Sequence, residues 1–428
     1  MSRSPTLQPL VPSSLLYGNA DQTVVVVDVP RSIEEAQEPW PNRNDDGASV
    51  RNRRRLLSGH PPISPFPTPS GLSVIDNESL AGQSLTAKLA ELTAQATVDS
   101  ALAELHNAAF DGPWCLPRCI HSDEKAGVKK DVAVVSTSAS FHIPPGARYL
   151  AGTIEACRDE FLADAPEFNV IVLDPPWPNR SARRRRQGRK RKSCALDGSS
   201  DDTGYETAYN MQSMRELLEQ IPVGAKLAAT GNSLVAVWVT NKAGCEAMLT
   251  DPRCGLFRDW GVELVATWTW LKVTTHGEPV VPLDSQWRKP WERLLIARRP
   301  VGVGTTAGSG HSTAVPLPTQ RVIVGVPDLH SRKPNLRSLL LPFVAPVDGT
   351  GNEQSANITG LEVFARNLTA GWWAWGNEAL LFQHKSWWTE QSKGDVQAQA
   401  DAQDGVVASA GSGSAASDAG QCHDKSTI

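Results

Sequence analysis

Short stretches rich in β-branched, aliphatic and tryptophan residues recur along the chain, the purest of them the unbroken VIVL at 170–173. They fall at 23–29 (TVVVVDV), 170–173 (VIVL), 233–240 (SLVAVWVT), 262–273, 291–298, 321–326 and 358–364. Apolar side chains on successive positions, rather than on alternate ones, suit strands covered on both faces, as in a parallel sheet flanked by helices. Helical spacing lies between the runs, at 32–37, 80–105, 149–162 and 211–221. In the second of these, Leu85, Leu89, Leu92, Leu102 and Leu105 are expected on one core-facing side. The pattern predicts an α/β fold.

The run at 170–173 ends on Asp174-Pro175-Pro176-Trp177. Neither proline has an N–H to give to a ladder, so the strand stops there in a rigid extended shape. The carboxyl ends of strands in an open parallel sheet are where ligands bind. A carboxylate and a fixed carbonyl at that place suit one chemistry in particular. The exocyclic amine of adenine is a poor nucleophile because its lone pair is delocalised into the ring. Acceptors from the Asp174 carboxylate and the Pro175 carbonyl could hold its two N–H groups and aim the lone pair at an electrophile, while Trp177 offers a flat face to a base taken out of its helix. An ordinary aspartate-capped turn is the competing reading of the four residues alone.

Further motifs follow in order: WVTN at 238–241, TWTWLKV at 267–273, RKPWERLLIARR at 288–299, HSRKP at 330–334, and LEVFARN with GWWAWGNE between 361 and 378. Together with DPPW they resemble the MT-A70 family of S-adenosylmethionine-dependent adenine N6-methyltransferases, over roughly 147–384. The segments PLDSQWRKPWE and VFARNLTAGWWAWGNE are most similar to the branch of methyltransferase-like protein four. The resemblance implies a Rossmann-like fold in permuted order, with the DPPW strand before the cofactor strand. It implies catalysis by Asp174, Pro175, Pro176 and Trp177, and S-adenosylmethionine held by Asp174, Lys333, Glu362, Phe364, Arg366, Asn367, Asn377 and Glu378. Lys333, just before an expected helix, would meet a carboxylate, and Glu362, Arg366 and Asn367 would meet ribose hydroxyls. Glu292 matches the acid that touches the target adenosine, with Lys289 beside it and Lys272 within reach. No metal is implied, nor an obligate methyltransferase partner. The substrate implied is nucleic acid: RNA, with small nuclear RNA from the branch resemblance, or DNA as the alternative.

Charge adds a second feature. The formal net charge of −4 over 428 residues conceals arginine clusters in the first half and an acidic, small-residue tail. Asn179 and Ser181 are followed by Arg183, Arg184, Arg185, Arg186 and a basic run to Lys192, which cannot pack in a core. It reads as a phosphate grip beside the site, as a nuclear import signal, or as a solvated insertion. The expected organisation is a disordered 1–21, an accessory region at 22–130, a methyltransferase domain at 131–390 with a basic flexible insertion at 182–204, and a disordered 391–428. Within 22–130, residues 61–71 (PPISPFPTPSG) are proline-spaced and extended.

The seven cysteines are scattered. Cys115, Cys119 and His121, with His106 upstream, are spaced too irregularly for a structural zinc site. Without a secretory leader or an apolar run approaching the roughly eighteen residues of a membrane span, a reducing intracellular compartment is expected, and with the basic run, the nucleus. Two other classes compete: a non-catalytic scaffold of the same fold, against which the intact DPPW argues, and a small-molecule or protein amine methyltransferase, against which the basic run argues.

Overall fold

The computed structural model describes residues 13–40, 54–67, 85–120, 140–178, 210–229, 232–285, 288–300, 316–329, 332–344 and 358–390. Its strands in chain order are β1 (Leu15–Gly18), β2 (Val24–Val27), β3 (Arg54–Ser58), β4 (Cys119–Ile120), β5 (Arg148–Leu150), β6 (Val170–Leu173) and β7 (Leu234–Val239). After them come β8 (Glu263–Lys272), β9 (Trp291–Arg298), β10 (Gln320–Gly325), β11 (Gly360–Val363), β12 (Trp373–Trp375) and β13 (Trp388–Glu390). Ten of these form one sheet in the order β1-β2-β10-β8-β9-β7-β6-β11-β12-β5, while β13, β3 and β4 form a small second sheet.

The large sheet is parallel from β2 to β8 and from β7 to β5, and β9 runs antiparallel between β8 and β7. Burial on both faces explains the unbroken apolar runs. Ile171 and Leu173 of β6 pack on one side with Phe161, Met214 and Leu218, whereas Val170 and Val172 pack on the other with Leu336, Leu339 and Trp372. Because β9 is reversed, its first residues, Trp291 and Glu292, stand at the same edge as the last residues of its parallel neighbours. β6 and β11 are adjacent and in register, with Val172 opposite Glu362, so the permuted order still brings the two carboxylate-bearing strands together.

Helices α1 (Val29–Ala36), α2 (Leu85–Asn107), α3 (Ile154–Asp164) and α4 (Met211–Glu219) cover the sheet with shorter helical turns. Asp28 caps α1 by accepting from the Arg31 N–H at 2.8 Å, and Thr153 and Asn210 cap α3 and α4 in the same way. Two expectations fail here. In α2 the buried face is Ala94, Val98, Ala101 and Leu105, while Leu89 and Leu92 are 66% and 63% exposed. The small residues let the helix lie close on the sheet, and the two leucines fall on the opposite side. At 149–162 the chain opens as a strand, β5, pairing β12, and only turns helical at Ile154.

The expected boundary at 130 does not separate two bodies. β1 and β2 extend the main sheet beyond β10, α2 packs on it through Val98 and Leu105 beside Val322 and Val324, and Ser13–Thr389 forms one compact unit. β1 also begins where loose chain was expected. The segments 1–12 and 391–428, and the basic insertion, lie outside the described residues. Among the described residues no helix is long and apolar enough to cross a membrane.

Candidate active site

Asp174 stands at the end of β6, its backbone N–H donating to the Val363 carbonyl at 3.2 Å. The loop after β10 passes over the carboxyl edge of the sheet and delivers Lys333 to it. The Lys333 ammonium lies 3.1 Å from both Asp174 carboxylate oxygens and 3.2 Å from Glu292 Oε2. Glu292 is also paired with Lys272, whose ammonium sits 4.7 Å from the Trp270 ring centroid. Arg366 Nη2 reaches to 3.8 Å from Asp174 Oδ2. Trp268 and Trp270 are buried as expected, and Lys272, on the same face and further along β8, reaches the site.

The charges sort the acids into two kinds. Burial alone would raise Glu292, but Lys333 and Lys272 outweigh it and hold the carboxyl at about 2. Burial also works against charge on Lys333, and Asp174 and Glu292 overcome it, raising the ammonium above its ordinary value. Glu362 goes the other way. Burial, with the neighbouring Asp174 charge adding to it, pushes it up to about 7 against the pull of Arg366 and Lys333. Among the described residues none donates a hydrogen bond to its carboxylate.

The DPPW segment is rigid, but its tryptophan faces inward. The Trp177 N–H donates to the Pro175 carbonyl at 2.8 Å, which fixes that carbonyl's direction and leaves its second lone pair for another donor. The Trp177 side chain is 6% exposed, packs with Met214 and Leu218, and donates from its indole nitrogen to the Trp238 carbonyl at 2.7 Å. The expected stacking face is therefore not presented. An indole whose N–H must find a partner and whose body is apolar is more stable beneath the strand ends than above them.

Other expected residues divide. Phe364 follows β11 in a left-handed conformation, φ 60°, with its N–H donating to the Trp375 carbonyl at 2.6 Å. Phe364, Arg366 and Asn367 line one cavity together with Asp174, Lys333 and Glu362. Asn377 and Glu378 do not line it, and Asn377 is exposed. Lys289 does not lie beside Glu292: it pairs with Glu91 of α2 at 2.7 Å and donates to the Leu283 carbonyl at 3.2 Å. Lys333 is not at a helix start, since the next helical turn begins at Arg337, and it is held by acids instead. Asn179, Ser181, Arg183, Arg184, Arg185 and Arg186 lie outside the described residues, as does His121.

Sequence reasoning missed a buried brace behind Lys333. Asp328 accepts from the Gly59 N–H at 3.0 Å and pairs with both Arg332 and Arg118. Arg118 donates to the Pro327 and Val326 carbonyls, each at 3.0 Å, and Arg332 donates to the Leu57 carbonyl at 3.2 Å and lies 4.2 Å from the Phe382 ring centroid. Arg332 belongs to the HSRKP motif, but nothing in the spacing of Gly59 or Arg118 connects them to it.

Residues 168–378 match the MT-A70 family. The N6-methyladenosine RNA methyltransferase MTA1 of Cryphonectria parasitica is 44% identical over 378 residues, covering 88% of this chain and 94% of that one. The chain belongs to the MT-A70 family. The human N(6)-adenine-specific methyltransferase METTL4 is 36% identical, over 56% of this chain and 43% of its own length, and a DNA N6-methyl methyltransferase of Caenorhabditis elegans is 30% identical, over 60% and 58%. Membership makes the fold Rossmann-like and the chain an S-adenosylmethionine-dependent N6-adenine methyltransferase of nucleic acid. When bound, the cofactor supplies a methyl group on a cationic sulfur. The cavity fits it. Among the described residues Glu362 has no donor on its carboxylate, which suits ribose hydroxyls, Lys333 and Arg366 suit a carboxylate, and Phe364, Trp372 and Phe382 give apolar walls. Asp174 lines the same cavity.

Proposed function

We propose that the chain methylates N6 of adenosine in RNA, with small nuclear RNA as the class implied by its resemblance to the branch of methyltransferase-like protein four. The supporting observation is the extent of likeness to the fungal enzyme named for RNA, which runs well beyond the matched residues 168–378. The likeness to the enzyme named for DNA is lower and shorter. Asp174 and the Pro175 carbonyl hold the two amine hydrogens, which localises the lone pair and aims it. Lys333 holds the carboxylate in place until the adenine amine arrives. After transfer the amine sheds one proton, for which Asp174 is the adjacent acceptor. A base extruded from single-stranded or irregular RNA requires less unpairing than one drawn from duplex DNA.

The resemblance to the branch of methyltransferase-like protein four is the ground for expecting activity without an obligate methyltransferase partner. The basic run from Arg183 to Lys192 supports residence in the nucleus and phosphate binding. The deciding assay gives the purified protein labelled S-adenosylmethionine with structured RNA, single-stranded RNA, duplex DNA and a protein acceptor. RNA is expected to be methylated fastest. Duplex DNA modified as fast as any RNA overturns the RNA assignment, and exclusion of the tagged protein from nuclei overturns the location.

A further inference from the structure

The proline-spaced segment 60–67 (HPPISPFP) has no part in the methyl-transfer cluster, yet backbone hydrogen bonds tie it to the turn that follows β8, the strand that ends in Lys272. Its prolines hold φ near −65° and stiffen it. It lies along the turn at 274–280 that follows β8. The Thr275 N–H donates to the Pro62 carbonyl at 2.9 Å, the Phe66 N–H donates to the Val280 carbonyl at 2.7 Å, and the His276 Nδ1 is 3.1 Å from the Ile63 carbonyl. The turn is tied to the site in its own right. The Val280 N–H donates to the Lys272 carbonyl at 3.0 Å, and Lys272 is the partner of Glu292. Trp114 packs so closely beneath the turn that a Cβ at Gly277, where φ is 84°, would come within 2.3 Å of its ring. The segment is thus a preorganised strut, not a loose loop.

The strut displays apolar side chains to solvent. Ile63 is 69% exposed and Phe66 37%, and the Arg288 guanidinium carbon lies 5.4 Å from the Phe66 ring centroid. Arg288 and His276 are themselves exposed. An open aromatic ring beside a guanidinium is the pairing that single-stranded nucleic acid uses, because every base has a π-face and every linkage a phosphate. We propose that Phe66, Ile63 and Arg288 form a stacking site for a nucleobase flanking the target adenosine, with Arg288 meeting the adjoining phosphate. The site selects single-stranded over paired substrate, since a base held in a duplex has no free face to offer. This rests on the nucleic-acid substrate, not on the choice of RNA over DNA.

The test is fluorescence anisotropy with a labelled single-stranded oligouridylate carrying one central adenosine, over a salt series, alongside calorimetry with S-adenosylmethionine. Phe66→Ala is expected to weaken oligonucleotide binding roughly 5- to 150-fold, the range of base–aromatic stacking, with cofactor affinity unchanged. Phe66→Trp is expected to keep wild-type affinity, and Phe66→Leu, which keeps bulk without a π-face, to remain weak. Arg288→Ala should reduce the salt slope by about one. Affinity of Phe66→Ala within twofold of wild type overturns the proposal, as does full recovery in Phe66→Leu, which would make the ring a packing element. If Phe66→Ala unfolds, the Leu and Trp pair still decides. Wild-type protein that binds no oligonucleotide would bring down the nucleic-acid reading and the stacking site with it.

Discussion

The Lys333 ammonium touches both oxygens of the Asp174 carboxylate, although three strands stand between β10, whose loop carries the lysine, and β6, which carries the aspartate. The lysine reaches it by crossing the edge of the sheet over Lys272, Glu292 and Trp238. One cation therefore sets the charge of two acids contributed by different strands. Lys333→Ala should abolish turnover and weaken S-adenosylmethionine binding by about 1–3 kcal/mol, the usual loss of a charge-assisted hydrogen bond. It should also lower stability, because Asp174 and Glu292 are left facing each other half-buried. The sign with pH is defined. Glu292, held at about 2, contributes stability that is present above its unfolded value and is lost as the pH falls through about 2. The gap in thermal midpoint between wild type and variant should hence narrow from pH 6 toward pH 3. A constant gap would mean that Lys333 does not stabilise the anion.

Asp174→Asn should eliminate methyl transfer with little change in unfolding temperature, since the residue ends a strand and its amide analogue keeps the shape. Turnover and thermal unfolding measured together decide it, and retained activity would remove Asp174 from the mechanism.

Trp177 separates packing from stacking. Trp177→Ala should destabilise the fold by about 3–5 kcal/mol, as for other buried aromatics, whereas Trp177→Phe should lose only about 1–3 kcal/mol for the Trp238 carbonyl left without its donor. With either variant folded at low temperature, RNA affinity should stay near wild type. A selective loss of RNA binding without destabilisation would restore the stacking role.

These contrasts follow from what a linear sequence can carry. The strands 170–173 and 234–239 were legible because burial on both faces leaves an unbroken apolar run, 291–298 was legible from its LLIA stretch, and Asp174, Lys272, Glu292 and Lys333 were legible because each lies beside such a run or in a motif. β5 and β12 are too short to show a period. Leu89 and Leu92 of α2 misled because leucine content does not say which face meets the sheet, and Ala94, Val98 and Ala101 join Leu105 on the buried side. Lys289 was misplaced because its partner Glu91 lies far away in sequence. The Arg118–Asp328 half of the brace was hidden for the same reason, since an ion pair between residues far apart in sequence leaves no local pattern.

Glu362 gives a pH dependence of cofactor binding. A carboxyl raised to about 7 is largely neutral at pH 6, and only its ionised form accepts from both ribose hydroxyls. Affinity for S-adenosylmethionine should rise between pH 6 and 8, and Glu362→Gln should flatten that rise. Stability runs in the opposite sense. A raised acid contributes fully below its unfolded value, and that contribution is lost as the pH rises through about 7, so Glu362→Gln should gain on wild type in thermal midpoint toward pH 8. Equal pH profiles for the two proteins would show that Glu362 does not titrate in this range.

The brace makes the last prediction. Residues before the matched family region hold the loop that carries Lys333: Arg118 binds the Val326 and Pro327 carbonyls and faces Asp328, which Gly59 and Arg332 also bind. The Arg118 and Asp328 side chains are almost wholly buried, so Arg118→Ala leaves a carboxylate short of a partner, and breaking such a pair costs about 3–5 kcal/mol. Part of that loss should appear in the active site, because Arg332 and Lys333 are consecutive and share the loop. Arg118→Ala should therefore lower kcat/KM and S-adenosylmethionine affinity even at temperatures where it remains folded, and Asp328→Asn should do the same. Arg118→Lys, which keeps the charge but not the forked donors to two carbonyls, should recover only part of the affinity. Hydrogen exchange gives the direct reading, with amides around 332–336 protected in wild type and exchanging faster in Arg118→Ala. Unchanged exchange and cofactor affinity in a folded Arg118→Ala would confine the brace to fold stability.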